Sequence, residues 1–201
     1  AEDFPNFTQP NARDRAAIAF PSCNGPVNLK DPQAIQRDIA NLKAALSSGP
    51  QPQEVFLSAV SPGQIARFMA NRYYPSHEAY VFALAESMKA EYAAIVEAGF
   101  VLQLDCPDLA SGRGSSEFSK LPLEDWLEIA FLHVEALNQA VAGLPRDRIR
   151  LHLCWGNYEG PHHRDVPLRD IIDVALGANV GALSFEAANP RHEHEWVLFE
   201  D

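Results

Sequence analysis

Along the chain, short apolar runs alternate with longer stretches in which apolar residues recur every three or four positions. Residues 55–59 (Val-Phe-Leu-Ser-Ala), 100–105, 149–154 and 181–186 are runs of strand length, and residues 16–20, closed by Pro21, have the same character. Helical patterns separate them. Asp31-Pro32 offers an N-cap followed by proline at the first helical position. Ile35, Ile39, Leu42 and Leu46 then fall on one face until Ser47-Ser48-Gly49-Pro50 ends the pattern. A short helix is expected near residues 65–69. Ser76 can cap a long helix carrying Val81, Leu84, Met88, Tyr92 and Ile95 on one side, with Gly99 as its C-terminal stop. Residues 123–141, with Trp126, Ala130, Val134 and Leu137 aligned, and residues 168–176 complete the helices. Residues 1–12 read as an arm or loop, 110–119 as a glycine- and serine-rich loop, and 157–165 as a polar loop.

Strand followed by helix, repeated about five times, predicts a parallel sheet with helical crossovers in an α/β fold. An open doubly wound sheet and a (β/α)₈ barrel both satisfy that order. No G-x-G-x-x-G or phosphate-loop pattern follows any strand, which favours the TIM-barrel type. A complete barrel usually needs about 250 residues. The 201 residues are therefore expected to form one domain over 1–201, an incomplete barrel of about five to six βα units and in all expectation a fragment. A homo-oligomer or a complementing second chain would be one way to supply the missing strands.

Composition narrows the partners. Hydrophobic residues at 47% and charged residues at 21% are ordinary for a globular chain, and the net charge of −11 disfavours nucleic acid and anionic membrane surfaces. Three cysteines, Cys23, Cys106 and Cys154, suit free thiols in a reducing compartment better than a disulfide framework. The start Ala1-Glu2-Asp3-Phe4-Pro5 lacks the features of a signal peptide, and no apolar stretch approaches a membrane span. A soluble, cytoplasmic protein is expected.

The chemistry concentrates at strand ends. Side chains alternate along a strand, so His152 and Cys154 point one way while Leu151 and Leu153 pack on the helices. Imidazole and thiolate are natural Zn²⁺ ligands. Ala182, Ser184 and Glu186 share a face of the next strand, and Val101, Gln103 and Asp105 share one on the strand before. His152, Cys154 and Glu186 can converge on one metal ion, with Asp105 at the rim of the same site. Against this stand plainer roles: a buried cysteine as apolar filler, a strand-end aspartate as a helix cap. Trp155 and Tyr158 could line the pocket or pack the loop, Asn157 could hydrogen-bond a ligand, and His162-His163 and His192-x-His194 either join the site or lie solvated in loops.

The segment Phe100-Val-Leu-Gln-Leu-Asp-Cys-Pro-Asp-Leu109 resembles the iQiDEPaL segment of cobalamin-independent methionine synthases. His152-x-Cys154 and Ser184-Phe185-Glu186 resemble that family's zinc-ligand strands, Val60-Ser-Pro-Gly63 its GP turn, and residues 73–99 its long helix. The likeness covers about residues 60–201 and is closest to the short relatives labelled methionine synthase II, within a superfamily that includes uroporphyrinogen decarboxylase. It implies a zinc-dependent methyltransferase of methionine biosynthesis that moves a methyl group from a methylated folate to homocysteine. His152, Cys154 and Glu186 would be the zinc ligands. Asp105 would hold the homocysteine amino group, with Gln103, Ser184, Phe68, Trp155 and Asn157 around the substrates. The family's fourth ligand, a downstream cysteine, has no match here; Cys106 replaces the glutamate of DEP, and Phe68 stands where the family places a pterin-binding tryptophan. A zinc-dependent thiol alkyltransferase or lyase with another thiol or donor, and an inactive barrel piece, are the alternatives.

Overall fold

A computed structural model describes residues 20–114, 118–156, 161–163, 165–186 and 188–200. The expected arm over 1–12, most of the strand expected over 16–20, Asn157 and Tyr158 lie outside them. The first described strand, β1 (Ser22–Cys23), begins just past Pro21, and Phe20 is exposed ahead of it. The chain continues through α1 (Ala34–Ser47), β2 (Phe56–Val60), α2 (Pro62–Phe68), β3 (Ala70–Asn71), α3 (His77–Glu97) and β4 (Val101–Asp105). It goes on to α4 (Asp108–Ser111), α5 (Leu123–Ala140), β5 (Ile149–Leu153), α6 (Leu168–Leu176) and β6 (Ala182–Phe185), with a 3₁₀ segment over Glu193–Phe199.

Local chemistry explains most boundaries. Ser76 accepts a hydrogen bond from the Ala79 amide at 3.0 Å and starts α3, whose Val81, Leu84, Met88, Tyr92 and Ile95 are all buried at the expected spacing. Gly99 adopts φ +90, the left-handed geometry that turns the end of α3 into β4. The start of α1 differs from the reading of Asp31 as its N-cap. The Asp31 carboxylate takes the Gln33 amide at 2.9 Å and the Arg37 guanidinium at 2.7 Å, closing an Asx-type turn, and the helix begins two residues later than expected. The expected loop over 110–119 is also corrected. Residues 108–111 form the single turn α4, continued by a 3₁₀ turn over 112–114, and Asp108 to Gly112 are buried. The glycine and serine composition masked a packed turn: Gly112 lies so close to the Trp126 indole that no Cβ would fit.

Strands β2, β4, β5 and β6 form one parallel sheet in that order, each neighbour being the next long strand in sequence, and β1 pairs with β3 in a small parallel pair. The fold is therefore α/β with parallel strands and helical crossovers; the described four-stranded sheet does not close. Register aligns Ala59, Leu104, Leu151 and Leu183 in one row, with Leu102 beside Ile149 and Leu153 beside Phe185. This face belongs to the core shared with α3, α5 and α6. The opposite face carries Ser58, Gln103, Arg150 and Ala182 in one row and Val60, Asp105, His152 and Ser184 in the next, towards the strands' C-terminal ends. It is only half-buried or exposed and mostly polar. Among the described residues, no helix is long and apolar enough to cross a membrane.

Candidate metal and thiol site

Parallel register puts the ends of β4 and β5 side by side. Asp105 pairs with His152, so the carboxylate and the imidazole project from the same row, and Cys154 follows one pleat further on the same face. Ligand atoms of Asp105, His152 and Cys154 all lie within 4.8 Å of one another, and His152 Nε2 stands 3.8 Å from the Asp105 carboxylate. All three are half-buried. They line a cavity of about 630 Å³ together with Glu186, Arg67, Phe68 and Trp155.

The Cys154 thiol is pushed above its ordinary pKa, first by burial and then by the Asp105 and Glu186 carboxylates; the Gly156 amide and Arg67 act the other way. A thiol facing two carboxylates stays protonated unless a cation joins the cluster. Imidazole nitrogen, sulfur and carboxylate oxygen in reach of one point are the donor set zinc takes, and a divalent ion there would reverse the electrostatics that hold the proton on sulfur. The residues present fit the group.

The structure thus gathers two of the three expected ligands, His152 and Cys154, with Asp105 as the third member of the cluster. Glu186 is exposed at the end of β6; it lines the same cavity and its charge is felt at Cys154, but its carboxylate is not within the 4.8 Å cluster. Phe68 stands at the cavity wall, about half exposed. Trp155 is buried, donates its indole N–H to the Val166 carbonyl at 2.7 Å and stacks on His192 with centroids 3.7 Å apart. Gln103 and Ser184 are not among the cavity-lining residues. Gln103 Oε1 accepts two bonds from Arg150, at 2.9 and 2.6 Å, which ties up the row beneath the cluster. Ser184 sits beside His152 in register. Cys106 is buried away from the cavity, its thiol contacting the Leu104 carbonyl at 3.6 Å and its pKa pushed well up by burial, as suits an apolar filler.

The loop histidines line a second cavity of about 600 Å³ beyond Trp155. His162 meets Asp165 at 2.7 Å, and His192 lies between Glu195, at 2.7 Å from Nδ1, and Asp165, at 3.5 Å from Nε2. Glu195 also accepts the Leu168 amide at the start of α6, at 2.7 Å. His162 and His192 are therefore largely withdrawn from solvent while His163 and His194 are exposed, and His192 with Glu195 pins the loop before α6 to the C-terminal 3₁₀ segment.

Sequence reasoning missed a second polar cluster, behind the sheet. Ser61 donates to Asp108 at 2.7 Å, Asp108 meets His133 Nδ1 at 2.9 Å, and His133 Nε2 meets His77 Nε2 at 2.8 Å. Ser61, Asp108 and His133 are each buried. Burial first, and the neighbouring His133 second, lower the His77 pKa to about 4. The available signal was His133 within the apolar stripe of α5, spaced for Trp126, Ala130 and Leu137. A buried imidazole needs a partner, and Asp108, just past a strand end, could supply it.

No protein-family model matches the chain. Over 123 residues it is 28% identical to a protein named methionine synthase from Saccharolobus solfataricus, covering 60% of this chain and 32% of that protein. Proteins of the same name from Pyrococcus furiosus and Pyrococcus abyssi are 31% identical over 105 residues and 33% over 98, covering 52% and 48% of this chain and 27% and 25% of theirs. The matches span about a quarter to a third of the length of these curated relatives. The chain is thus a distant, partial relative of archaeal proteins named methionine synthase.

Proposed function

We propose that the chain is the thiol-activating part of a zinc-dependent methyltransferase on a TIM-type barrel, acting on homocysteine with a methylated folate as donor. The observation that carries this reading is the Asp105–His152–Cys154 cluster at the C-terminal ends of adjacent parallel strands, where barrel enzymes place their chemistry. The distant relatives named methionine synthase support it, as does the polar, uncovered sheet face, which suits a barrel lumen better than a sheet with helices on both sides.

His152 and Cys154 would hold the metal, with Asp105 or Glu186 as carboxylate donor. When bound there, zinc lowers the pKa of a coordinated thiol and favours its nucleophilic thiolate form. The residues of the chain do the rest. Whichever carboxylate is not engaged by the metal can accept the substrate ammonium. Trp155, clamped by Val166 and His192, and Phe68 give the cavity apolar walls that exclude water and leave room for the donor. Arg150, held by Gln103, keeps the row beneath the cluster in place.

The test is metal content, then methyl transfer. The purified protein is expected to take up about one zinc per chain, and His152→Ala and Cys154→Ser should each abolish uptake. Comparing Asp105→Asn with Glu186→Gln identifies the third donor as the one whose loss weakens zinc roughly tenfold or more. Zinc-loaded protein should then methylate homocysteine from a methylated folate. Unchanged metal content in the Cys154 and His152 variants would end the proposal. Zinc binding with methylation of another thiol, or from another donor, would instead assign a thiol alkyltransferase of the same chemistry.

A further inference from the structure

Arg67 lines the thiol cavity half-buried and, among the described residues, has no salt-bridge partner; burial outweighs the longer-range pull of Asp108 and Asp165 on its guanidinium. It ends α2, and its Nη1 donates to the Ser111 hydroxyl at 2.7 Å, which in turn donates to the Pro107 carbonyl at 2.8 Å. Its guanidinium lies over the Phe68 ring, 5.5 Å from the centroid. These are neutral partners. Among the described residues, no carboxylate forms an ion pair with it, although the chain holds 27 acidic residues against 16 lysines and arginines. A cation withdrawn from water is costly when no anion meets it, and such a site is completed when a ligand brings the anion.

The neighbouring arginines do not play this part. Arg150 is committed to Gln103 and to the Phe56 ring in the row beneath, and Arg191 is exposed at the rim. The carboxylate of Asp105 lines the same cavity. A ligand with an acidic group towards Arg67, and its sulfur towards His152 and Cys154, satisfies both ends.

We propose that Arg67 binds the acidic group of the thiol substrate, so the site selects thiols bearing a carboxylate or sulfonate over thiols of equal length that lack one. This rests on the thiol-site reading above and adds the residue that sets its specificity. The guanidinium presents two parallel N–H donors to a carboxylate, and the Ser111 bond fixes the angle of that fork.

Calorimetric titration of the zinc-loaded protein with homocysteine, with its decarboxylated analogue and with mercaptoethanesulfonate tests this. Homocysteine is expected to bind at least about tenfold tighter than the decarboxylated thiol. Arg67→Met should bring that ratio close to one while leaving zinc content and the weaker thiol's affinity unchanged; Arg67→Lys should restore part of it. Mercaptoethanesulfonate binding tighter than homocysteine would assign the acid as a sulfonate. A purely structural Arg67 would weaken all three thiols alike, and a ratio that survives in Arg67→Met overturns the proposal. In zinc-free protein, α-aminobutyrate, which keeps the acid and lacks sulfur, should protect Arg67 from phenylglyoxal where propylamine does not. Protection without any thiol binding would sink the thiol reading and leave the anion site standing; absence of protection overturns the anion site.

Discussion

Two carboxylates three residues apart, Asp105 and Asp108, anchor polar clusters of opposite character. Asp108 belongs to a closed network in which one oxygen takes the Ser61 hydroxyl and the other meets His133, itself capped by His77, and Asp108 is itself buried. Asp105 belongs to an open one: its nearest imidazole is 3.8 Å away, beyond hydrogen-bond reach, and the group faces a 630 Å³ cavity. Every donor in the first cluster has an internal partner, so its free energy is spent on the fold. In the second, Cys154 has only the Gly156 amide and, among the described residues, Asp105 and His152 have no partner within hydrogen-bond reach, which a fold tolerates at a site completed by a ligand. The two clusters should therefore respond oppositely to substitution.

The largest effect is expected at His133. Removing its imidazole by His133→Ala leaves the Asp108 carboxylate buried with Ser61 alone and opens a cavity under α5, a loss of about 3–5 kcal/mol in urea unfolding. A loss below about 1 kcal/mol would mean the network is not closed and would erase the contrast with Asp105.

Gly63 gives a second, smaller test. A Cβ at this position would run into the Asp108 carboxylate and the His133 ring, so the close packing of α2 on the network depends on a residue without a side chain. Gly63→Ala should cost about 1–3 kcal/mol, less in a His133→Ala background because the ring it strikes is gone.

How much of this was legible in the sequence follows the same division. Elements with a strong period and a local stop were plain: α3 between Ser76 and Gly99, α6, and the run that became β5. The open cluster was legible because strand alternation alone aligns His152 with Cys154, and parallel register brings Asp105 to them. What alternation could not place was Glu186, whose position depends on how the chain leaves β6. The closed cluster joins residues from the loop before α2, the start of α3, α4 and α5, with bonded partners as far as 56 positions apart, so only the packing of those helices reveals it. Arg67 and Ser111 escaped for the same reason.

The pH dependence of stability comes next in size and belongs to the closed cluster. The His77 pKa is about 4 in the fold and about 6.5 in an unfolded chain, so the fold favours the neutral ring. Above pH 6.5 neither state carries the proton and the full stability is present. As pH falls from 6.5 towards 4, the unfolded chain takes up the proton first and stability declines. Allowing for solvent around this half-buried ring, the loss is about 1–2 kcal/mol. His77→Phe, which keeps the aromatic contact with Phe118, should flatten that part of the profile.

The smallest expected change in stability is at the open cluster, and its smallness is the point. His152→Ala removes a ring with no internal hydrogen-bond partner among the described residues, and Cys154→Ser keeps a group that can still meet the Gly156 amide, so unfolding of the metal-free protein should shift by no more than about 0.5 kcal/mol. If the proposed site takes zinc in the folded protein and not in the unfolded chain, adding it to the unsubstituted protein should raise stability by several kcal/mol at a large excess over Kd. In either variant that rise should vanish while the His77-dependent acid limb stays unchanged. If metal-free Cys154→Ser were instead as destabilised as His133→Ala, the thiol would be packing the core, and a cavity of this size and charge beside it would have no ligand to explain it.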